Sequence, residues 1–260
     1  MNLADITPVL LTYNEAPNLP RTLGALAWAR QIVVVDSFST DGTLGLLKAD
    51  PRVGVVQRKF DSHAGQWNFA ISETGIATPW ILALDADYVL SEALVAELAQ
   101  LTPDARTDAY RAGFDYYVRG RRLWGSLYPP VAVLFRRGRG SYVQDGHTQR
   151  LHVAGAVGEL AARIAHDDRK SFAHWRQAQR RYCRLEADKL ARASWSTLGW
   201  PDRVRRLIVV APAAVLVYCL VARGGALQGL AGWQYALQRA WSETMLAQEL
   251  LRRMFGLSNA

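Results

Sequence analysis

Two aspartates at the end of an apolar segment are the residues best placed to do chemistry. Residues 80–84 form a wholly apolar run, and Asp85-Ala86-Asp87 follows directly. Two carboxylates this close repel each other unless a positive charge binds them. Mn²⁺ and Mg²⁺ prefer such oxygen ligands, and either metal neutralises a nucleotide diphosphate. An Asp-x-Asp pattern also occurs in ordinary solvated turns, but its position after a buried strand favours a metal site.

A second polar loop follows the apolar run at 32–35. Asp36 ends this run, and a small loop containing Ser39 and Asp41 leads into a helical pattern. A carboxylate at this place accepts hydrogen bonds from a base or a ribose, and the start of the following helix suits an anionic ligand. The alternative is a simple capped turn between a strand and a helix.

The first apolar run ends in the same way, with three groups able to contact a nucleoside, Thr12, Asn14 and Glu15. Taken alone, this segment would indicate little.

The elements that must position these groups alternate along the first half. Apolar runs predict strands buried on both faces at 9–12, 32–35, 53–57 and 80–84, and helical spacing falls at 16–28, 43–48, 64–72 and 91–101. Strict alternation predicts a parallel, doubly wound α/β sheet, in which ligands bind at the carboxyl ends of the strands. Aromatic and β-branched segments between 108 and 153 are expected to complete a mixed sheet flanked by helices. Further helices are predicted at 171–192 and about 229–255.

Composition indicates a folded protein with an uneven charge. Of 260 residues, 50% are hydrophobic and 21% charged. Residues 1–110 hold 7 Lys/Arg against 13 Asp/Glu, and residues 111–260 hold 24 against 10. A basic second half suits nucleic acid, an anionic membrane leaflet or a phosphorylated substrate, and charge alone does not choose among them.

The two cysteines and the N-terminus both favour a cytoplasmic location. Cys183 and Cys219 lie far apart, with no Cys or His at a metal-ligand spacing, so neither a disulfide framework nor a zinc site is expected. Residues 1–5 lead straight into an apolar strand, without the basic segment of a signal peptide.

One apolar run, at 207–222, is a membrane candidate. It is shorter than the ~20 residues of a spanning helix and contains Pro212. It follows an arginine cluster at 203–206, which suits anionic lipid head groups. A buried core helix, an interfacial or re-entrant segment and a transmembrane helix all remain open, and the interfacial alternative is favoured.

In their order along the chain, these motifs resemble those of glycosyltransferase family 2. The nearest resemblance is to the bacterial branch similar to lipopolysaccharide core β-glucosyltransferases. It rests on LTYNE at 11–15, VDSFSTDGT at 35–43, FD and QWNFA within 60–70, and LDAD at 84–87, and it covers roughly residues 8–190. The resemblance implies a GT-A fold of the nucleotide-diphospho-sugar transferase type and an inverting transfer.

The resemblance also implies roles for the residues of the first half. It places Asp36 and the Thr12 loop near the nucleoside and Gln66 or Asn68 near the donor phosphates. It makes Asp87 the direct ligand of Mn²⁺ or Mg²⁺, with Asp85 nearby.

A later block, residues 164–171, has a counterpart in the family as a histidine after a short strand. His166 would complete the metal shell or touch the diphosphate, and Arg169 and Lys170 would neutralise phosphates.

The catalytic base is expected between residues 141 and 150. Inversion requires a carboxylate or histidine to take the proton of the acceptor hydroxyl. The resembled branch presents a His-Glu pair, whereas Thr148 follows His147 in this chain. Asp145 is favoured because family members commonly use an acid in this region. His147 is the alternative, and a turn without a role in proton transfer also remains open.

The expected architecture is a GT-A catalytic domain over 1–195 and a helical appendage over 196–260 that docks on the inner face of the cytoplasmic membrane. The expected reaction moves a hexose from a nucleotide-sugar donor, UDP-linked, to a cell-envelope glycan or lipopolysaccharide-type glycolipid acceptor. No nucleic-acid partner is expected. Transfer to polyprenyl phosphate, a non-catalytic assembly role and nucleic-acid binding are the rival hypotheses.

Overall fold

The computed structural model describes residues 1–256, which pack as two compact units. The first comprises Met1–Tyr117, Tyr128–Gln144 and Gln149–Lys170. The second comprises Val118–Leu127, Asp145–Thr148 and the chain from Ser171 onward. The division into a catalytic domain over 1–195 and an appendage over 196–260 stays a prediction.

The first unit is built on a seven-stranded mixed sheet in the order β12-β6-β9-β4-β1-β2-β3. Strands β4, β1, β2 and β3 run parallel, whereas β9 is antiparallel to both β4 and β6. Strands β5, β13 and β7 lie side by side in a smaller sheet. The strands of the chain are β1 Ile6–Thr12, β2 Ile32–Asp36, β3 Val53–Gln57, β4 Trp80–Asp85, β5 Tyr88–Leu90, β6 Thr107–Ala112, β7 Phe114–Val118, β8 Arg121–Arg122, β9 Val131–Arg136, β10 Gly140–Asp145, β11 Thr148–Val153, β12 Ala156–Glu159 and β13 Ile164–His166. The predicted mixed α/β sheet is confirmed.

The core fills both faces of this sheet because alternate residues of each strand point to opposite sides. On one face, Leu10, Val34 and Leu82 belong to the cluster that also holds the buried leucines of α1 and α4. On the other face, Val9 and Ile81 belong to the cluster around α3. The prediction that all four early strands are buried on both faces is wrong for β3. This strand lies at the edge of the sheet, and Gly54, Val56 and Gln57 are exposed.

The helices are α1 Leu19–Ala25, α2 Thr43–Ala49, α3 His63–Ser72, α4 Glu92–Gln100, α5 Phe172–Arg192, α6 Trp200–Arg206, α7 Val210–Val217 and α8 Gly229–Met254. Serine hydroxyls cap several of them; Ser91, for example, accepts from the amide of Leu94. The helix predicted at 16–28 is shorter because Asn14 adopts a left-handed φ of 56° and the next residues form a turn.

The second unit is helical. Cys183, Leu190 and Leu246 are part of the buried cluster that joins α5 to α8. Helices α7 and α8 pack closely, and Gly232 lies so near the carbonyl of Gly225 that a Cβ there would overlap it.

The apolar run at 207–222 is mostly exposed in the structure. It forms α7 and a π-helical turn, Tyr218–Ala222. Only Ala211 and Cys219 in this run are buried, so the alternative of a buried core helix is wrong.

Candidate functional site

The carboxyl edge of the sheet brings the predicted groups of the first unit into line. Leu11 pairs with Asp85 across β1 and β4, and Thr12 pairs with Asp36 across β1 and β2. Asp36 in turn pairs with Gln57 on β3. Four neighbouring strands therefore end in polar groups along one edge, as expected for a ligand site in a parallel α/β sheet.

The centre of this edge is a pair of buried carboxylates with opposite tendencies. Burial and the charge of Asp87 raise the pKa of Asp85 to about 6. Burial also acts to raise the pKa of Asp87, but His166 and Lys170 outweigh it and lower that pKa to about 2. Nε2 of His166 lies 3.1 Å from Oδ2 of Asp87. The charged form is therefore favoured at Asp87 and disfavoured at Asp85, where burial and Asp87 outweigh His166 and Lys170.

His166 stands at the end of β13 inside a cluster of aromatic rings. The centroids of Tyr128, Tyr116 and Tyr88 lie 4.4, 4.7 and 5.3 Å from that of the imidazole. Burial acts to lower the pKa of His166, but the charge of Asp87 and the hydrogen bond to it raise this pKa. Its Nδ1 is buried without a hydrogen-bond partner in the described chain.

The donor set fits a hard divalent cation that takes further ligands from its substrate. Within residues 1–256, no group of three or more His, Cys, Asp or Glu side chains is arranged to hold a metal ion by itself. Mg²⁺ and Mn²⁺ commonly bind through one or two carboxylates together with substrate phosphates. Asp87 and Asp85 offer two such carboxylates, and a cation would relieve the repulsion that raises the pKa of Asp85.

Asp36 is fully buried and holds its loop together. Its Oδ1 accepts from the hydroxyls of Thr12 at 2.9 Å and Ser39 at 2.5 Å. Its Oδ2 accepts from the amide of Ser39 at 2.9 Å and from Nε2 of Gln57 at 3.2 Å. Four donors of the chain therefore engage this carboxylate, and a direct contact with a nucleoside stays a prediction.

The loops after β1 and β2 are joined by further hydrogen bonds. The backbone amide of Asn14 donates to the hydroxyl of Ser39 at 2.8 Å, and Oδ1 of Asn14 accepts from the backbone amide of Thr40 at 2.8 Å. Asp41 accepts from the amides of Ala16 and Thr43. The two loops form one surface at the sheet edge.

Two aromatic side chains on this surface belong to the sequence motifs but were given no role from them. Tyr13 and Phe38 follow the ends of β1 and β2 and are 46% and 53% exposed. Phe38 has a left-handed φ of 59°, which is unusual for a residue other than glycine. Exposed rings at a strand end suit stacking on a flat ligand.

Glu15 and Lys170 form a largely buried ion pair beside the carboxylate centre. Nζ of Lys170 lies 2.5 Å from Glu15, and the two side chains are 15% and 13% exposed. Burial raises the pKa of Glu15 to about 7, and Lys170 works against that rise. Burial acts to lower the pKa of Lys170, but Glu15 and Asp87 outweigh it and raise this pKa. Lys170, which was predicted to neutralise donor phosphates, thus interacts with two carboxylates in this structure.

Asn18 connects this pair to the segment after β13, a role that no motif predicted. It donates to Glu15 at 2.8 Å and to Asp168 at 3.0 Å. Its Oδ1 accepts from the backbone amide of Arg169 at 2.8 Å. A fully buried asparagine therefore ties the first loop to the 167–170 segment.

Arg169 points to a neighbouring carboxylate in this conformation. Its guanidinium lies 2.7 Å from Asp167, which also pairs with Arg21 at 2.6 Å. A contact of Arg169 with donor phosphates stays a prediction, and Arg21 and Asp167 are further residues that the sequence did not reveal.

Gln66 and Asn68 lie on α3 and are engaged within the first unit. Nε2 of Gln66 donates to the hydroxyl of Ser37 at 2.9 Å, and its Oε1 accepts from Arg58. The amide of Asn68 pairs with both backbone groups of Tyr142, at 2.9 and 2.8 Å. Asn68 therefore fastens α3 to β10, and the roles of both residues at the donor phosphates stay predictions.

The two candidates for the catalytic base lie in the second unit, in the 145–148 turn. Asp145 is 3.0 Å from Nζ of Lys189. Nδ1 of His147 is 2.8 Å from Oε2 of Glu186, a residue of α5. Burial acts to raise the pKa of Glu186, but the hydrogen bond to His147 and nearby cations lower it to about 2. A carboxylate therefore does lie beside His147, although it comes from Glu186 on α5 and not from the next residue in the sequence. Local spacing did not predict this contact.

Comparisons with known proteins all point to glycosyltransferases. The model of glycosyl transferase family 2 matches residues 8–172. The lipopolysaccharide core biosynthesis glycosyltransferase LpsC of Rhizobium meliloti is 29% identical over 148 residues, which are 53% of this chain and 53% of that protein. An uncharacterized glycosyltransferase of Rickettsia bellii is 33% identical over 108 residues, 41% of this chain and 36% of that protein. The chain thus matches about a third to a half of the length of these relatives.

Among solved structures, the crystal structure of S. aureus TarS 1–349 in complex with UDP-GlcNAc resembles the whole chain. The TM-score is 0.50 at 13% sequence identity, and the match covers 100% of this chain and 93% of that chain. This likeness shows a shared fold.

Proposed function

Because the chain belongs to glycosyl transferase family 2, we propose that it transfers a hexose with inversion from a UDP-sugar to a cell-envelope glycan of the lipopolysaccharide type. The observation that carries this proposal is the buried pair of Asp85 and Asp87 at the carboxyl edge of the sheet. The similarity to LpsC supports the acceptor class, and the UDP-GlcNAc bound by TarS supports a uridine donor.

The donor lies along the sheet edge in this proposal. The uridine meets the joined loops of Asn14 and Asp36, with Phe38 as a stacking surface. Lys170, which is charged and close to Asp87, faces the diphosphate. Asp87, with Asp85 and His166 nearby, would hold a divalent metal, whose positive charge would stabilise the departing nucleotide.

The base in this proposal is one of the two side chains of the 145–148 turn, and the contacts favour His147. Lys189 lies 3.0 Å from Asp145 and already engages that carboxylate. Glu186 holds Nδ1 of His147, so Nε2 is the nitrogen that takes the acceptor proton. One proton leaves the hydroxyl as the oxygen attacks the anomeric carbon and UDP departs.

The proposed place of action is the anionic inner face of the cytoplasmic membrane, where lipid-linked glycans are accessible. The net charge of the second half, 24 Lys/Arg against 10 Asp/Glu over residues 111–260, supports this placement.

Calorimetric titration tests the donor site. UDP and GDP are titrated, each with Mn²⁺, Mg²⁺ or EDTA, into wild type, Asp87→Asn and the control Asp104→Asn, whose side chain is 57% exposed. Metal-dependent UDP binding is expected in wild type and control and at least tenfold weaker in Asp87→Asn. Absence of nucleotide binding under every condition overturns the proposal.

Product analysis tests the reaction itself. With a UDP-sugar and truncated lipopolysaccharide core as acceptor, inversion predicts a β-linked product from the α-linked donor, read from the anomeric coupling in proton NMR. An α-linked product contradicts the single displacement. UDP binding without release of sugar under any acceptor supports an assembly role instead.

A further inference from the structure

The second unit carries an apolar surface with an unusual composition. We call residues 207–241 the apolar elbow: it contains α7, the π-helical turn, the connection after it and the first turns of α8. These residues include no Asp, Glu or Lys, and their only cations are Arg223 and Arg239. A surface helix of a protein in water normally carries charges on its outer face.

The apolar side chains of the elbow point outward. Val209, Val221, Leu227 and Leu230 are 74–79% exposed. Further exposed members are Leu207, Val210, Val217, Tyr218, Trp233, Leu237 and Trp241. A contiguous exposed patch of this kind marks a site of contact with a membrane or another protein.

Helix α8 carries an apolar stripe on its outside in addition to the apolar residues that it buries. Leu230, Trp233, Leu237 and Trp241 recur at spacings of three and four residues, and all four are exposed. The opposite face contains the buried Ser242 and Glu243, and Glu243 pairs with Arg205. Ser242 and Glu243 therefore have partners inside the unit, while the apolar stripe has no covering element in the described chain.

The geometry of the elbow favours a shallow insertion over a crossing. Val210–Ala222 is followed by Gly225–Met254 after a bend of 68°, and no single helix in residues 1–256 is long and apolar enough to cross a membrane. At 1.5 Å per residue, the first helix is about 20 Å long, less than the hydrocarbon core of about 30 Å. The buried polar face of α8 also prevents lipid from surrounding that helix.

Cations adjoin the apolar surface. Arg203 and Arg206 precede it on α6, and the exposed Arg223 stands at the bend with its guanidinium 5.4 Å from the ring of Tyr218. Arginine beside tyrosine and tryptophan suits the level of the lipid head groups. These arginines favour an anionic bilayer, rather than a neutral apolar protein, as the partner that covers the apolar elbow.

We propose that the apolar elbow enters one leaflet of an anionic phospholipid bilayer as a re-entrant element that does not cross it. This inference deepens the membrane part of the proposed function and rests on that part alone. It needs no donor, metal or acceptor, so it is tested separately from sugar transfer.

Vesicle co-sedimentation tests the inference. Wild type is mixed with vesicles of phosphatidylcholine alone or with 30 mol% phosphatidylglycerol, as is the double variant Val221→Glu/Leu227→Glu. The matched control, Leu46→Glu/Val157→Glu, places two glutamates at exposed apolar positions of the first unit. We expect wild type and control to bind the anionic vesicles, and the elbow variant to partition at least tenfold less. Equal partition of both variants overturns the proposal.

Two further measurements separate the alternatives. Tryptophan quenching by lipids brominated in the acyl chain is expected for wild type and reduced in Trp233→Phe; no quenching shows that the elbow stays outside the leaflet. Light scattering after gel filtration measures self-association. If wild type forms a dimer that the elbow variant abolishes, and wild type does not bind vesicles, the proposal is overturned and the elbow instead binds a second copy of the chain. UDP titration into the elbow variant confirms its folding and keeps a failure here distinct from a failure of the donor site.

Discussion

Replacing Glu186 by glutamine tests how the second unit holds the 145–148 turn. The Glu186 side chain is only 6% exposed and lies 2.8 Å from Nδ1 of His147. Nζ of Lys189 and a guanidinium nitrogen of Arg205 lie 3.4 and 3.7 Å away. Burial opposes ionisation of this carboxylate, but the hydrogen bond from His147 and the charges of Lys189 and Arg205 prevail and hold its pKa at about 2 against an ordinary 4.5.

The size of the effect follows from this depressed pKa of Glu186. Each pKa unit corresponds to about 1.4 kcal/mol, so the carboxylate contributes roughly 3 kcal/mol to the free energy of unfolding at neutral pH. Because the folded pKa lies below the unfolded one, this contribution is complete above pH 4.5 and is lost as the pH falls through 2. We expect Glu186→Gln to be less stable than wild type by about 3 kcal/mol at pH 7, and the difference to shrink below pH 4.5.

Urea unfolding at pH 7, 5 and 3, followed by circular dichroism, measures this difference. Glu73→Gln, which removes an exposed carboxylate of the first unit, is the control and should differ little from wild type at any pH. A stability loss of the same size at pH 7 and pH 3 would refute the electrostatic explanation. If Glu186→Gln binds UDP as tightly as wild type but transfers sugar more slowly, the 145–148 turn takes part in the transfer step.

Further predictions concern the donor and the base. We expect His147→Gln to slow transfer by about 100-fold or more without weakening UDP binding, and Asp145→Asn to slow it less; the reverse order in a UDP-release assay would restore Asp145 as the base. Phe38→Ala should weaken UDP binding about 3- to 10-fold by calorimetry, and unchanged affinity would exclude stacking. Burial raises the pKa of Glu15 to about 7, and Lys170 opposes this rise. Without Lys170, keeping Glu15 ionised in the folded state costs more, so Lys170→Met should lose more stability at pH 8, where Glu15 ionises, than at pH 6. A pH-independent loss in thermal unfolding would contradict this pairing.

Local sequence was sufficient for the sheet and for the position of its polar ends. Residues 80–84 are apolar without interruption, and a short run of this kind, alternating with helical segments, favours a strand covered on both faces. The residue that ends each run then necessarily lies at the sheet edge, which is why Asp36 and Asp85 were predicted where the structure has them. Family motifs over 11–87 added the donor chemistry.

Contacts between distant parts of the chain were not predictable in this way. Lys170 and Glu15 are 155 residues apart, and Asn18 and Asp168 are 150 apart. Glu186 meets His147 from a position 39 residues away. No periodicity or spacing encodes such pairs, because they depend on how finished elements pack.

Composition alone determined that residues 207–222 are apolar and that an arginine cluster precedes them. Only the tertiary structure decided that this segment is exposed. A core helix and a membrane-facing helix have the same hydropathy, since both exclude water, and they differ only in what covers them. In this protein α8 packs against the neighbouring apolar segment, yet Leu230, Trp233 and Leu237 stay exposed, so apolar side chains remain uncovered within the described residues.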